Sequence, residues 1–331
     1  MRSGCAPLCL ECADTQAGSR PIDNHLQPLT SPRSVLVTGA SGFIGSHLLP
    51  VLAAGGHRVV TLSAREGPID RSGAAFPARD ALVRRLGGID VLVHLAGIAH
   101  RKASPQMLER INVDWPAHLY EAAAEAGVAD FVFLSSIKVL GDVSEQPLVE
   151  SDGYAPRDDY ARSKTNAEIR LTALAESAGR PRLVVIRSPL VYGPGVRANF
   201  RALLALADWG RRGLPLPLGG ARAPRSLIGV RNLCDAVLTA TGQEGIIHAA
   251  DGEDVCVAEL LRALEARRLI SVPAGIMRAV LDLAGRHALF ERLYCPLQVD
   301  TGRLRSVLGW TPPFSLGEQL EETAQWFRRS R

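Results

Sequence analysis

Short apolar runs and longer amphipathic stretches alternate along the first two-thirds of the chain. Val35–Val37, His57–Ser63, Ile89–Leu95, Phe131–Leu134 and Leu183–Arg187 each hold the near-continuous hydrophobicity of a strand buried on both faces. Between them, Ser46–Ala54, Asp80–Leu86, Ser104–Gly127 and Asp158–Gly179 show helical spacing. Pro50 predicts a kink or early stop in the first of these helices, and Pro116 a kink or break in the third. A third strand is expected before Ile89, with only Ala74–Phe76 to suggest it. This alternation predicts an α/β fold with a doubly wound parallel sheet. After Ser188 the pattern turns irregular. Asn199–Trp209 reads as a helix, Leu214–Gly220 as a loop and Arg225–Val230 as a short strand. Ile270–Gly285 is apolar on most faces and reads as packed against the sheet, with a membrane-surface role as the alternative.

The first strand runs directly into three glycines, Gly39, Gly42 and Gly45, and then into a helix. In that setting Gly39 permits a tight turn and Gly42 a close approach to a pyrophosphate. Gly45 lets the helix pack on the strand, and the helix N-terminus offers free N–H groups to phosphates. The reading is a Rossmann-type dinucleotide site. A site of this kind that takes NAD carries Asp or Glu at the end of the second strand. Here the chain reads Ser63-Ala64-Arg65. A guanidinium suits the extra phosphate of a 2′-phosphorylated ribose, so Arg65 favours NADP(H) over NAD(H). The alternative is NAD bound without the carboxylate, with Arg65 a solvated loop residue.

Composition narrows the field. The chain has 331 residues, 47% hydrophobic and 22% charged, with a formal net charge of +4. It holds enough apolar residues for a sizeable core. Aromatics are 5% and no dense basic run interleaves with them, which argues against nucleic-acid binding. No apolar run reaches the length of a membrane span. Of six cysteines three crowd the N-terminus and three are scattered, which is no disulfide framework and points to a reducing, cytoplasmic setting. Cys5, Cys9 and Cys12 lack a fourth ligand, so no metal site is expected. Residues 1–32 have no period and read as a disordered extension.

Candidate chemistry lies at the ends of later strands. Ser135 and Ser136 close the Phe131–Leu134 strand, at the end where open α/β sheets bind ligands. Tyr160 and Lys164 stand four apart on the following helix, on one face. An ammonium beside a phenol favours the phenolate and lowers its pKa. Such a pair can move a proton at an alcohol oxygen while Ser136 holds that oxygen by a hydrogen bond.

Together TGASGFIG (Thr38–Gly45), HLAG (His94–Gly97), Asn112, SSIKVLG (Ser135–Gly141), YARSK (Tyr160–Lys164), RSPLVYGPG (Arg187–Gly195) and GWTPP (Gly309–Pro313) resemble an extended short-chain dehydrogenase/reductase. The resemblance is to the NAD-dependent epimerase/dehydratase group and covers nearly all of the chain from about Arg33. Within that group it is most similar to bacterial UDP-sugar 4-epimerases and UDP-4-keto-6-deoxy-sugar 4-reductases of surface-polysaccharide synthesis.

The resemblance implies a dinucleotide-binding domain over residues 33–190, with a later strand from the C-terminal half, and a nucleotide-sugar lobe over 191–331. It implies Tyr160 as general acid/base, Lys164 as its partner and holder of the nicotinamide ribose, and Ser136 as third member. Gly39, Gly42, Phe43, Ile44, Gly45, Arg65, Leu95, Ala96 and Gly97, with Tyr160 and Lys164, would contact the cofactor. Ser136, Asn199 and Arg225 would contact the nucleotide-sugar substrate, Arg225 gripping its diphosphate, and Asn112 would be structural. It is compatible with a homodimer. The implied activity is 4-epimerisation or 4-keto reduction by hydride transfer. Reduction of a non-sugar carbonyl and a non-catalytic NAD(P)-binding sensor or scaffold are the alternatives. Ile137 and Lys138 follow Ser136 where a 4,6-dehydratase carries Asp-Glu, which argues against that activity.

Overall fold

The computed structural model describes residues 31–62, 76–99 and 103–330. Arg65, the extension before residue 31 with its three cysteines, and nearly all of the stretch Ala74–Phe76 lie outside the described residues.

Six parallel strands form the main sheet: β1 (Ser34–Thr38), β2 (Arg58–Leu62), β3 (Val91–His94), β4 (Asp130–Ser136), β5 (Arg182–Ser188) and, from much later in the chain, β8 (Gly245–His248). Their order is β2-β1-β3-β4-β5-β8. The chain leaves this sheet after β5 to form β6 (Leu190–Tyr192) and β7 (Arg225–Gly229). With β9 (Asp254–Val255) these make a three-stranded sheet in the order β6-β7-β9.

Alternating side chains of the main sheet feed two cores, as the period of two in a strand requires. Val35 and Val37 of β1 join a core with Leu48 and Leu52 of the helix Phe43–Ala54 and with the helix Val230–Ala240. Leu36 enters the opposite core, under Leu119, Tyr120 and Ala123 of the helix Trp115–Glu125 and Ala167 and Leu171 of the helix Asp159–Ala178. A third core, with Phe200, Leu204, Leu227 and Leu261, supports the smaller sheet. Phe43 packs against both the first and the third, so the glycine turn and the second sheet share a side chain.

Three expectations change on contact with the structure. The first helix runs unbroken from Phe43 through Pro50 to Ala54. Pro50 is exposed, so water can satisfy the carbonyl that its missing N–H leaves free. The helix around Pro116 does not break either. A π-helical turn, Arg110–Asp114, joins the helix Pro105–Glu109 to Trp115–Glu125 and takes up the misfit ahead of the proline. The third correction concerns Ile270–Gly285. The helix Ala274–Leu283 has no buried residue, because Ile276, Val280 and Leu283 face solvent while only Met277 and Leu281 turn partly inward.

Candidate active site

The turn after β1 is tight because three glycines make it so. Gly39 has φ +71°, and a Cβ there would lie 2.7 Å from the backbone N of Ala96. A Cβ on Gly45 would lie 2.4 Å from the Gly39 carbonyl oxygen. Gly42 caps the helix with no side-chain hydrogen bond, and no acidic residue sits in the first turn. The helix therefore presents bare N–H groups and its positive end beside a backbone that no side chain fills. This cradle fits a pyrophosphate. Phe43 and Ile44 follow in that first turn, both half-buried.

Leu95, Ala96 and Gly97 continue β3 across the cradle. The Ala96 amide donates to Thr38 Oγ1 at 3.3 Å, and that hydroxyl lies 2.9 Å from His94 Nδ1. Gly97 is exposed, and a Cβ there would meet Asn112 Oδ1 at 3.1 Å. Asn112 belongs to the π-helical turn. Its amide bonds both backbone groups of Ile98, at 2.9 and 3.1 Å, and donates to Ser163 Oγ at 2.9 Å. It ties the loop after β3 to the helix that carries Tyr160 and Lys164.

That helix begins with Asp158 as N-cap, its Oδ1 accepting from the Ala161 amide at 2.7 Å. Lys138, just after β4, pairs with Asp158 and also lies 3.3 Å from Asp142. The start of the helix is thus fastened to the segment that follows Ser136. Ser136 lies close enough to the Tyr160 hydroxyl to favour its phenolate. Lys164 is buried and donates to the Leu134 carbonyl at 2.8 Å, with its ammonium 4.4 Å from the centre of the Phe133 ring. Ser136, Tyr160 and Lys164 therefore converge beyond the carboxyl end of β4.

Their electrostatics differ from the expectation in one respect. Burial pushes the Tyr160 phenol up to about 12; the Ser136 hydroxyl works against the rise and the Asp158 carboxylate adds to it. Lys164 does not bring it down here, because its ammonium is turned to the Leu134 carbonyl and the Phe133 face. Burial in turn pushes Lys164 down to about 8, with Glu168 opposing. His94 is pushed down to about 3 by burial and then by the Lys164 charge, so it is a neutral ring between Thr38 and the phenylalanines Phe131 and Phe133.

One constellation was not foreseen from the sequence. Glu168, one turn after Lys164, is fully buried and receives Arg187, Ser135 and Tyr154. Arg187 Nη2 lies 2.8 Å from its Oε2 and Arg187 Nη1 reaches the Glu150 carbonyl at 3.2 Å. The available signal was the series Tyr160, Lys164, Glu168 at helical spacing, with an arginine ending a buried strand.

The two expected substrate residues are placed differently from each other. Asn199 is exposed in the first turn of the helix Ala198–Arg211, beside Ala198 with φ +51°. Arg225, at the start of β7, spends Nη1 on the carbonyls of Cys295 (2.6 Å) and Glu291 (3.4 Å), closing the C-terminus of the helix His287–Tyr294. It also lies within electrostatic reach of Asp142, the partner of Lys138. Among the described residues no group of His, Cys, Asp and Glu is arranged to hold a metal ion.

A parallel sheet with a bare glycine cradle at its first turn, and Ser, Tyr and Lys gathered beyond its fourth strand, has the build of an extended short-chain dehydrogenase/reductase. The family model described as NAD dependent epimerase/dehydratase matches residues 35–250, and the chain belongs to that family. It is 34% identical to the UDP-glucose 4-epimerase of Vibrio cholerae over 318 residues, which cover 89% of this chain and 96% of that protein. It is 30% identical to the dTDP-4-dehydro-6-deoxy-D-allose reductase of Streptomyces bikiniensis over 331 residues, again 89% of this chain and 96% of the relative. A solved structure described as MoeE5 in complex with UDP-glucose and NAD is similar at TM-score 0.68 and 26% identity, covering 90% of this chain and 99% of that one. The chain is thus an enzyme of the nucleotide-sugar epimerase and ketoreductase kind, with a nicotinamide cofactor.

Proposed function

We propose that this enzyme acts at C4 of a nucleotide-diphosphate sugar, by 4-keto reduction or 4-epimerisation, with a UDP-sugar as the preferred class. The observation that carries the reading is the convergence of Ser136 with Tyr160 and Lys164, one turn apart on their helix, at the carboxyl end of β4. The bound nicotinamide supplies the hydride chemistry at the sugar carbon. Ser136 holds the C4 oxygen and Tyr160 moves its proton. A phenol pushed up to about 12 is the neutral form that donates to a ketone oxygen, which suits reduction. The opposite transfer needs the phenolate, and a cation brought nearer the ring favours it. Lys164 is the group placed to supply that charge, and to hold the nicotinamide ribose.

Residues 33–190 with β8 form the cofactor half in this reading, and 191–331 carry the nucleotide sugar. The likeness to a 4-epimerase and to a 4-ketosugar reductase supports the choice of C4. Asn199 reaches the sugar nucleotide from its exposed helix start. Arg225 serves it while bracing the helix His287–Tyr294. Arg65 favours NADP(H) over NAD(H). A homodimer in the cytoplasm is the form in which the enzyme is expected to work.

The test is a panel of UDP- and dTDP-sugars and their 4-keto derivatives, each offered with NADPH and with NADH. Consumption of NADPH with a 4-keto UDP-sugar supports the reductase form. Interconversion without net cofactor change supports the epimerase form. Turnover of non-sugar carbonyls alone would remove the nucleotide-sugar reading.

A further inference from the structure

The helix Ala274–Leu283 lies outside every core of the protein. Its outward stripe is Ile276, Val280 and Leu283, at the i, i+4, i+7 spacing of one helix face, and Leu283 is 93% exposed. The chain just before the helix carries further exposed apolar side chains. Ile270, just before the helix, donates its amide to Leu216. The Leu216 amide bonds the Arg268 carbonyl, and Leu214 donates to the Trp209 carbonyl. Trp209, Leu214 and Ile270 are each more than half exposed. These six side chains are half of the twelve large hydrophobic residues that stand exposed among the described residues. Apolar surface gathered in this way marks an interaction site rather than scatter.

The charges around it are mostly positive. Residues 209–222 and 267–286 contain Arg211, Arg212, Arg222, Arg267, Arg268, Arg278 and Arg286 against the single acid Asp282. Asp208 adds a second carboxylate, set between Arg211 and Arg212 at 3.0 Å from each. The whole chain has a formal charge of only +4, so the remainder is not basic. A second copy docking by the same face would set arginines against arginines, which disfavours self-association here. Trp at the rim, an aliphatic stripe and arginines with long apolar stems are the features with which an amphipathic helix lies in a lipid interface.

We propose that this face, built on the helix Ala274–Leu283 and the adjoining Trp209–Leu214 and Arg267–Ile270 segments, docks the enzyme peripherally on an anionic membrane surface. The aliphatic stripe enters the headgroup boundary and the arginines pair with lipid phosphates. Among the described residues no helix is long and apolar enough to cross a membrane, so the contact is with the surface.

Flotation of the full chain with phosphatidylglycerol-rich vesicles, and with phosphatidylcholine vesicles as reference, tests this. Binding to the anionic vesicles that weakens at high salt is expected. The double variant Ile276→Asp/Leu283→Asp should cut the bound fraction about tenfold, and Arg267→Glu/Arg268→Glu by a similar or larger factor at roughly fivefold per arginine removed. Both variants change exposed side chains, and an unchanged melting temperature confirms that they fold. Failure to float with anionic vesicles would overturn the proposal, as would flotation that neither variant alters. Retention on immobilised poly-glutamate without flotation would assign the face to an acidic protein instead and equally overturn it.

Discussion

Arg187 lays its guanidinium along the carboxylate of Glu168, with Nη2 2.8 Å from Oε2 and neither side chain reaching solvent. Glu168 is one turn beyond Lys164, so the pair fixes the floor beneath the Tyr160–Lys164 face of the helix. Removing one partner leaves a buried charge with nothing to balance it, at a cost of about 3–5 kcal/mol. Arg187→Met should therefore lower unfolding free energy by that order in urea titrations. Glu168→Gln/Arg187→Met together should recover a good part of it. A cost below about 1 kcal/mol for Arg187→Met would show that the pair does not brace the site.

The same carboxylate acts on Lys164. Burial brings Lys164 down to about 8 and Glu168 holds it from falling further. In the free enzyme Lys164 is a cation below that pH and neutral above it. In the proposed mechanism its charge serves the phenol and the ribose, so kcat/KM should fall as pH rises through about 8. Tyr160, up near 12, stays protonated over that range and adds no limb of its own to ketone reduction. A profile that is flat through pH 8 would separate Lys164 from the rate.

His94 makes a prediction about stability. Its folded pKa is depressed to about 3 from 6.5, because a charge there would be buried next to Lys164. Below pH 6.5 the unfolded chain takes up a proton that the folded chain refuses. Stability from this group is complete above 6.5 and is lost as pH falls toward 3, at about 1.4 kcal/mol per pH unit. His57 and His248 are lowered as well and contribute with the same sign. His94→Asn should flatten the slope of unfolding free energy against pH by about one proton's worth between 6.5 and 5. An unaltered slope would mean that His94 is protonated in the fold.

Much of the fold could be read from the chain. Strand positions followed from Val35–Val37, Val91–His94 and Phe131–Leu134, where apolar residues run without a break. The helix Asp159–Ala178 announced both ends, with Asp158 as N-cap and Gly179 as a left-handed stop at φ +66°. The convergence of Ser136, Tyr160 and Lys164 was legible because they occupy one strand end and one helix face. The rest depended on tertiary contact. Nothing local told Pro116 to be preceded by a π-turn rather than a break. Burial, invisible in a spacing, set the Tyr160 pKa upward. The apolar residues around Ile276 look the same in sequence whether they pack inward or face out. The grip of Arg225 on Cys295 and Glu291 joins residues about seventy apart and has no sequence signature.

That grip has its own consequence. With Nη1 on the last carbonyls of the helix His287–Tyr294, Arg225 holds this segment against β7. Arg225→Ala should speed proteolytic cutting around residues 287–297 and raise KM for the nucleotide sugar about tenfold or more, with little change in cofactor affinity. Faster cutting with an unchanged KM would confine Arg225 to a structural role.

The central claim rests on Tyr160 as the group that moves the proton. Tyr160→Phe removes one hydroxyl and keeps the ring in its half-buried place. The direct measurement is single-turnover hydride transfer between the nicotinamide cofactor and a 4-keto UDP-sugar, run beside a cofactor titration of the same variant. With Tyr160 as the proton-moving group, the rate should fall by a factor on the order of 10²–10⁴ while cofactor affinity stays within a few-fold of the parent. Transfer at the parent rate would contradict that role.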